Sequence, residues 1–278
     1  MQARTNGMRN RIGEKFEELK NRKKGGLIPF VVAGDPDLGT TLELILELGK
    51  RGASVIELGV PFSDPVADGP TIQASAERAL RKRFGVREVL DLVAEARRRG
   101  CDTPIILFSY FNPIYRFGLE NFAVAAREAG ADGVLITDLI PEESGEFHGL
   151  LTDLELCLIT LAAPTSSDER LKKICQKTAG FVYAVSRAGV TGARNEMSSE
   201  AEVLVRRLRK FTDQPVAVGF GISNAEQVRE TWRYADAAVV GSAIVREMIR
   251  LAPDPDRVPG DFVERIGRFA ARLLPPED

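Results

Sequence analysis

The sequence predicts a single α/β domain over residues 1–278, a (β/α)8 TIM barrel with an extra N-terminal helix. Short apolar runs, typical of strands that are buried on both faces, alternate with amphipathic helical stretches along nearly the whole chain. Eight such runs within about 250 residues fit a closed barrel better than an open sheet. No Pro- or Ser-rich linker and no break in composition divides the chain, so we expect one domain.

The order of the elements follows from these apolar runs. A first helix, Met8–Lys24, precedes the first strand and is expected to plug the bottom of the barrel, and a last helix, Asp261–Leu274, closes the ring. The strands are expected at Ile28–Ala33, Val55–Gly59, Ile105–Ser109, Gly133–Thr137, Cys157–Leu161, Phe181–Val185, Val216–Phe220 and Ala237–Val240. The helices between them include Thr40–Arg51, Val86–Arg99, Leu119–Ala129, Ser167–Lys177, Ser199–Phe211 and Ala225–Tyr234. Glycines that follow helices are expected to form left-handed C-caps at Gly25-Gly26, Gly52, Gly100, Gly130 and Gly180.

Composition and charge narrow the class of protein. The 44% hydrophobic and 28% charged residues are ordinary for a globular chain, and 38 basic against 40 acidic residues argue against a nucleic-acid partner. No stretch approaches the roughly 18 apolar residues of a membrane span, and the polar N-terminus lacks the apolar core of a secretory signal. Three cysteines and one histidine do not supply a metal-binding pattern. We therefore expect a cytoplasmic protein with reduced thiols and no metal.

Two carboxylates in the stretch Val55–Gly69 are candidates for acid–base chemistry. Side chains alternate along a strand, so Glu57 is expected to point into the barrel while Ile56 and Leu58 pack beneath the helices. A carboxylate inside the barrel is costly unless a ligand uses it, the structural alternative being an internal salt bridge. Asp68 follows in a loop above the end of the barrel where the strands terminate, which we call the mouth. An aspartate in a loop is often only a turn former. Two carboxylates that differ in burial can divide the roles of general acid and general base.

Glycine-bearing loops after the last strands predict a phosphate site. Gly219–Ser223 follows the seventh expected strand, and Gly241–Ile244 follows the eighth and opens a helix. Glycines allow the backbone to approach a ligand, and a helix N-terminus presents free N–H groups to an anion. Barrels often bind phosphate at these two loops. A third loop, Ser186–Arg194, is expected to supply further donors or a lid.

The chain closely resembles the tryptophan synthase alpha subunit family. The strongest motif is ELGVPFSDPVADG at Glu57–Gly69, and SRAGVTG at Ser186–Gly192 is equally specific. Other matching segments follow in the same order as in the family, from about residue 8 to 272: PFVVAGDP (Pro29–Pro36), GPTIQ (Gly69–Gln73), YFNP (Tyr110–Pro113), GFGI (Gly219–Ile222) and GSAI (Gly241–Ile244). The resemblance implies a lyase that cleaves indole-3-glycerol phosphate to indole and glyceraldehyde 3-phosphate by a retro-aldol reaction.

The resemblance also implies roles for individual residues. Glu57 matches the catalytic glutamate, Asp68 the catalytic aspartate, and Tyr183 a tyrosine near the substrate. Phe30 and Tyr110 match positions that line the indole pocket. The positions that match the phosphate site are Gly192, Gly221, Gly241 and Ser242. No metal or cofactor is expected in this subunit, because pyridoxal phosphate belongs to the beta partner.

The same resemblance predicts a protein partner, the tryptophan synthase beta subunit in an α2β2 heterotetramer that receives the indole. Asp64 and Pro65 are the expected contact residues. Ile140 stands where the family commonly has proline. The affinity of this chain for the partner is therefore expected to differ from that of other family members. Three alternatives remain: a stand-alone lyase that releases free indole, a different phosphosugar enzyme such as indole-glycerol phosphate synthase, and an idle regulatory subunit. The synthase is disfavoured because it requires an inward lysine, which the expected strands lack.

Overall fold

Eight parallel strands form a closed barrel in the computed structural model, which describes residues 11–185, 194–219 and 221–276, with only the backbone of 194–199. The strands are β1 (Gly26–Val32), β2 (Ile56–Gly59), β3 (Ile105–Ser109), β4 (Gly133–Ile136), β5 (Cys157–Ala162), β6 (Val182–Val185), β7 (Val216–Gly219) and β8 (Ala237–Val240). Each strand pairs with its neighbour in sequence, and β8 returns to β1 with Gly26 opposite Ala237. The predicted TIM barrel is therefore confirmed.

Helices surround the barrel and follow the strands in alternation. Their bounds are α1 (Arg11–Asn21), α2 (Leu38–Lys50), α3 (Pro70–Leu80), α4 (Val86–Arg98), α5 (Phe111–Phe117), α6 (Leu119–Ala129), α7 (Gly145–Asp153), α8 (Asp168–Lys177), α9 (Arg194–Leu208), α10 (Ala225–Thr231), α11 (Ser242–Leu251) and α12 (Phe262–Ala271). Capping side chains fix several of the starts: Asp37 accepts from the Thr40 N–H, and Asn224 accepts from the Gln227 N–H. Three helices, α3, α5 and α7, lie outside the helical segments given above, and α11 begins in the Gly241–Ile244 stretch that was expected to open a helix.

The first helix closes the bottom of the barrel, as expected. Ile12 and Phe16 are buried against the side chains that fill the barrel interior, and the Phe16 ring lies 5.7 Å from that of Phe181. Arg11 anchors the start of α1, because its Nη1 lies 3.0 Å from the buried Asp132 carboxylate. The helix therefore leaves only the opposite end of the barrel, where the strands terminate, open to a ligand.

The glycines after the helices divide into two groups. Gly52, Gly100, Gly130 and Gly180 all have positive φ angles, as predicted for left-handed caps. The prediction is wrong for Gly25-Gly26, because Lys23 adopts the left-handed conformation after α1 instead. A Cβ on Gly25 would lie 2.2 Å from the ring of Trp232, whose Nε1 donates to the Gly26 carbonyl. Glycine is needed at position 25 for space rather than for its φ angle.

Candidate active site

Glu57 lies inside the barrel near the end of β2. Ile56 and Leu58 pack in the layer between strands and helices, whereas Val55 belongs to the barrel interior, so alternation turns Glu57 inward. Its side chain is 1% exposed, and its Oε1 has no hydrogen-bond partner among the described residues. Burial alone raises the pKa of Glu57 to about 8. At neutral pH this carboxyl group is therefore mostly protonated.

The surroundings of Glu57 argue against the structural alternative, in which its carboxylate forms a salt bridge inside the barrel. No ion pair to Glu57 forms within the part of the chain that the structure describes. An internal salt bridge would lower the pKa of the carboxyl group, since a nearby cation favours the ionised form. Burial instead raises the pKa of Glu57, so its environment is that of an acid available to a ligand rather than of a buried ion pair.

Asp68 lies in the loop between β2 and α3, at the mouth of the barrel. The loop is held from the barrel side by Tyr110, whose hydroxyl accepts the Ala67 N–H at 2.9 Å. Partial burial raises the pKa of Asp68 to about 6, opposed by a hydrogen bond with Tyr110. The two carboxyl groups thus have different proton affinities, and between about pH 6 and 8 Asp68 is mainly ionised while Glu57 is mainly protonated.

Tyr183, on β6, faces both carboxylates across the barrel. It is almost fully buried, and its pKa is raised well above the usual value, first by burial and then by the negative charges of Glu57 and Asp68. Its hydroxyl lies against Gly219, where a Cβ would come within 2.1 Å of the oxygen. The structure therefore brings together the three residues that the sequence singled out for chemistry, with Gly219 providing the space.

Aromatic side chains form one wall of the mouth. Phe30, on β1, stands opposite Glu57 in the strand register and meets the Phe108 ring edge-on at a centroid distance of 5.1 Å. The Tyr110 ring lies 5.3 Å from that of Phe62. The sequence reasoning named Phe30 and Tyr110 but not Phe108, although Phe108 lies two residues after the buried Ile106 and so shares its face of β3.

The two glycine loops lie beyond this wall. Gly221 has a φ of +78°, a left-handed conformation that favours glycine. Gly241 caps the start of α11, and a Cβ there would lie 3.4 Å from the Cβ of Phe30. The first backbone bond of α11 runs from the Val245 N–H to the Gly241 carbonyl, so the preceding amides, beginning with Ser242, have no acceptor within the helix. Gly192, the loop 186–193 and Phe220 lie outside the described residues.

The expected contact residues lie on the outer surface near the mouth. Asp64 is exposed and Pro65 is half-buried, and the next residue, Val66, is 86% exposed. Ile140 is 37% exposed in the loop after β4. Next to it, the Asp138 carboxylate accepts the Phe111 N–H at 2.7 Å and so joins the loops after β3 and β4. Apolar side chains are therefore exposed on both the Asp68 loop and the loop after β4.

Two further features limit the chemistry. Across residues 11–185, 194–219 and 221–276, no cluster of three His, Cys, Asp or Glu side chains is placed to hold a metal ion. No helix in these ranges is long and apolar enough to cross a membrane.

His148 is half-buried on α7, where burial and the charge of Lys177 lower its pKa. The acid–base groups that meet at the mouth are therefore carboxyl and phenol groups.

Comparison with known proteins identifies the family to which this barrel belongs. The family model described as "Tryptophan synthase alpha chain" matches residues 16–271. The chain belongs to the tryptophan synthase alpha chain family. An alpha chain from Caulobacter sp. (strain K31) is 48% identical over 240 residues, covering 86% of this chain and 87% of the relative. One from Prochlorococcus marinus is 43% identical over 270 residues, covering 97% and 94%.

Solved structures of alpha chains share the same architecture. The crystal structure of tryptophan synthase subunit alpha from Legionella pneumophila has a TM-score of 0.86 and 37% identity, and the match covers 95% of this chain and 97% of that one. The chain from the α2β2 complex of Pyrococcus furiosus has a TM-score of 0.81 and 43% identity, covering 90% and 97%. This member of the tryptophan synthase alpha family is thus a lyase that cleaves indole-3-glycerol phosphate.

Proposed function

We propose that Glu57 and Asp68 carry out the cleavage of indole-3-glycerol phosphate, as acid–base catalyst and as stabiliser of the indole nitrogen. The observation that carries the proposal is the buried Glu57 carboxyl group, whose Oε1 has no hydrogen-bond partner among the described residues and whose pKa of about 8 keeps it protonated at neutral pH. A group with a pKa near the working pH is well suited to give and take protons.

In the first step, Glu57 donates its proton to C3 of the indole ring. The ring nitrogen becomes positively charged, and the ionised Asp68 accepts the hydrogen bond of its N–H. An anion placed where positive charge develops lowers the energy of the intermediate. Burial supports this role, because the low dielectric of the mouth strengthens the attraction between Asp68 and the ring.

In the second step, the Glu57 carboxylate removes the proton of the 3′-hydroxyl group. The electron pair of the O–H bond forms the aldehyde carbonyl, the bond between C3 and the glycerol carbon breaks, and its electrons restore the indole ring. The products are indole and glyceraldehyde 3-phosphate, and Glu57 ends protonated, as it began. Tyr183 lies close to both carboxylates and stays neutral, so its hydroxyl is available as a hydrogen-bond donor near the reacting atoms.

The substrate is held at its two ends. Phe30 and Tyr110 line the indole pocket, where the aromatic wall offers apolar surface. The phosphate is bound mainly by backbone amides at Gly221, Gly241 and Ser242, together with Gly192. The free N–H groups at the start of α11 support this assignment, since the positive end of the helix dipole favours an anion.

The beta subunit is the proposed partner, in an α2β2 assembly that passes indole from one subunit to the other. Asp64 and Pro65, with Ile140, form the contact surface on this chain, and the exposed side chain of Val66, next to Pro65, supports an apolar contact. The alpha chain needs no cofactor of its own, because pyridoxal phosphate acts in the beta subunit. A partner that restrains the Asp68 loop increases the fraction of molecules that are competent for catalysis.

The test is indole formation by Glu57→Gln and Asp68→Asn variants. Glu57→Gln keeps the size of the side chain and removes the proton transfer, so kcat is expected to fall by about 100-fold or more. The matched control is Glu17→Gln, the same substitution at an exposed position on α1, which leaves the mouth unchanged. Near-normal turnover by Glu57→Gln would refute its role as the acid–base.

The second candidate is a stand-alone lyase that releases free indole, and the hydrogen bonds of the Asp68 loop favour it, because the side chains of Tyr110 and Gln73 already hold that loop without a partner. Indole formation measured with increasing beta subunit separates the two. A rise in kcat, together with a complex on gel filtration, supports the α2β2 assembly. A flat rate with no complex identifies the chain as self-sufficient.

A further inference from the structure

Gln73, in the first turn of α3, hydrogen-bonds to the main chain of the Asp68 loop. Its Nε2 donates to the Asp68 carbonyl at 2.8 Å and, more weakly, to the Pro65 carbonyl at 3.5 Å. The Pro65 carbonyl also accepts the Asp68 N–H at 3.0 Å, which closes a turn. One side-chain amide therefore bridges both ends of the short segment that carries the Asp68 carboxylate.

The helix that carries Gln73 is itself fixed by a buried polar cluster. Asp35, in the turn after β1, is fully buried and accepts from the Ser75 hydroxyl and, at 2.8 Å, from Arg78 Nε. Arg78 Nη1 reaches the Pro253 carbonyl at 3.2 Å, in the segment after α11. A buried, hydrogen-bonded ion pair of this kind is rigid, because separating its members would leave charges without solvent.

We propose that Gln73 is a positioning residue, which transfers the rigidity of α3 to the Asp68 main chain and so holds the Asp68 carboxylate in the barrel mouth. The inference rests on the proposed role of Asp68. Tyr110 restrains the same loop from the barrel side, through the Ala67 N–H and through a hydrogen bond with the Asp68 carboxylate. Gln73 acts on the main chain instead, because its amide donates to the Asp68 carbonyl.

The chemistry of the contact explains why an amide is suited to this position. Both acceptors are main-chain carbonyls, and the NH2 group of glutamine supplies two donors. Methionine has a similar length without a donor, and glutamate would place an acceptor against two acceptors. Loss of the amide allows the loop to open, and the Asp68 carboxylate then spends part of its time in solvent, where the burial that raises its pKa is lost.

The first experiment compares Gln73→Met with the matched control Gln176→Met, an exposed glutamine on α8. If the loop is competent in about one molecule in ten without the amide, kcat falls about 10-fold. KM is expected to change less than about twofold, since the phosphate loops are untouched. The acid limb of the pH profile of kcat/KM, near 6 in the parent, is expected to move to a lower pH. An unchanged kcat and an unchanged acid limb would overturn the inference.

The second experiment combines Gln73→Met with Asp68→Asn. If Gln73 acts through Asp68, the double variant has the same kcat as Asp68→Asn alone, whereas independent structural damage multiplies the two losses. Multiplicative losses would overturn the inference and leave the proposed function standing. Normal turnover by Asp68→Asn would overturn the proposed function itself.

Should Gln73→Met fail to fold, Gln73→Glu, which keeps the shape of the side chain, takes its place in both experiments. Its carboxylate would face the Pro65 and Asp68 carbonyls, so at pH 8 kcat is expected to fall about 10-fold or more below that of the parent. Parent-like turnover at pH 8 by this variant would also refute the positioning role.

Discussion

Replacing Glu57 by glutamine is expected to make the folded protein more stable at alkaline pH relative to the parent, while abolishing most of its activity. Glu57 is 1% exposed, and burial raises its pKa from 4.5 to about 8. Between these two values the folded state holds a proton that the unfolded state has lost. The contribution of Glu57 to stability therefore declines as pH rises through this window. Glutamine does not titrate and escapes this loss.

The size of the effect follows from the two pKa values. Compared with a group that stays uncharged in both states, Glu57 lowers the free energy of unfolding by about 1 kcal/mol at pH 5 and by about 4 kcal/mol at pH 8. These values follow from about 1.36 kcal/mol for each pKa unit. The stability difference between the Gln variant and the parent is thus expected to grow by about 3 to 4 kcal/mol from pH 5 to pH 8. The cost of burying the amide adds a constant that does not vary with pH.

The assay is urea unfolding of both proteins at pH 5, 6, 7 and 8, followed by circular dichroism. The free energies of unfolding are subtracted at each pH, so that other titrating groups cancel between the two proteins. Glu17→Gln, an exposed substitution on α1, controls for the general loss of one carboxyl group. A difference that stays constant from pH 5 to pH 8 would refute the raised pKa of Glu57 and, with it, the assignment of this residue as an acid at neutral pH.

Two further predictions concern catalysis and binding. The pH profile of kcat/KM, which reports groups of the free enzyme, is expected to be bell-shaped with an optimum near neutrality, because the reaction requires Asp68 ionised, above about pH 6, and Glu57 protonated, below about pH 8. A kcat/KM that keeps rising to about pH 9 would contradict this assignment. Gly221→Ala adds a side chain to a residue with a φ of +78° in the proposed phosphate loop, and we expect it to raise KM about 10-fold or more. The control is Gly145→Ala, in open space on α7, which is expected to leave KM unchanged. Equal KM values for the two alanine variants would count against the phosphate site.

Local sequence periodicity was enough to predict the barrel and the direction of its key side chain. The eight apolar runs correspond to the eight strands, with ends that differ by up to two residues. Alternation along β2 correctly predicted that the Glu57 side chain points into the barrel, because side-chain direction in a strand repeats every two residues. The bounds of α3, α5 and α7 were not predicted, since each helix lies in a connection where loop and helix signals overlap, although Pro70 is a favoured first residue of a helix.

Contacts between distant parts of the chain depended on the tertiary structure. Sequence spacing does not show that Glu57 Oε1 lacks a partner among the described residues, that Tyr183 faces both carboxylates, or that the Gln73 amide reaches the Asp68 carbonyl. The buried cluster around Asp35 also joins segments that are far apart in sequence. Periodicity determines which face of an element a side chain occupies, but barrel closure and strand stagger determine what that face meets. The proton affinities of Glu57 and Asp68 follow from that closure, because burial at the mouth, rather than residue type, raises both pKa values.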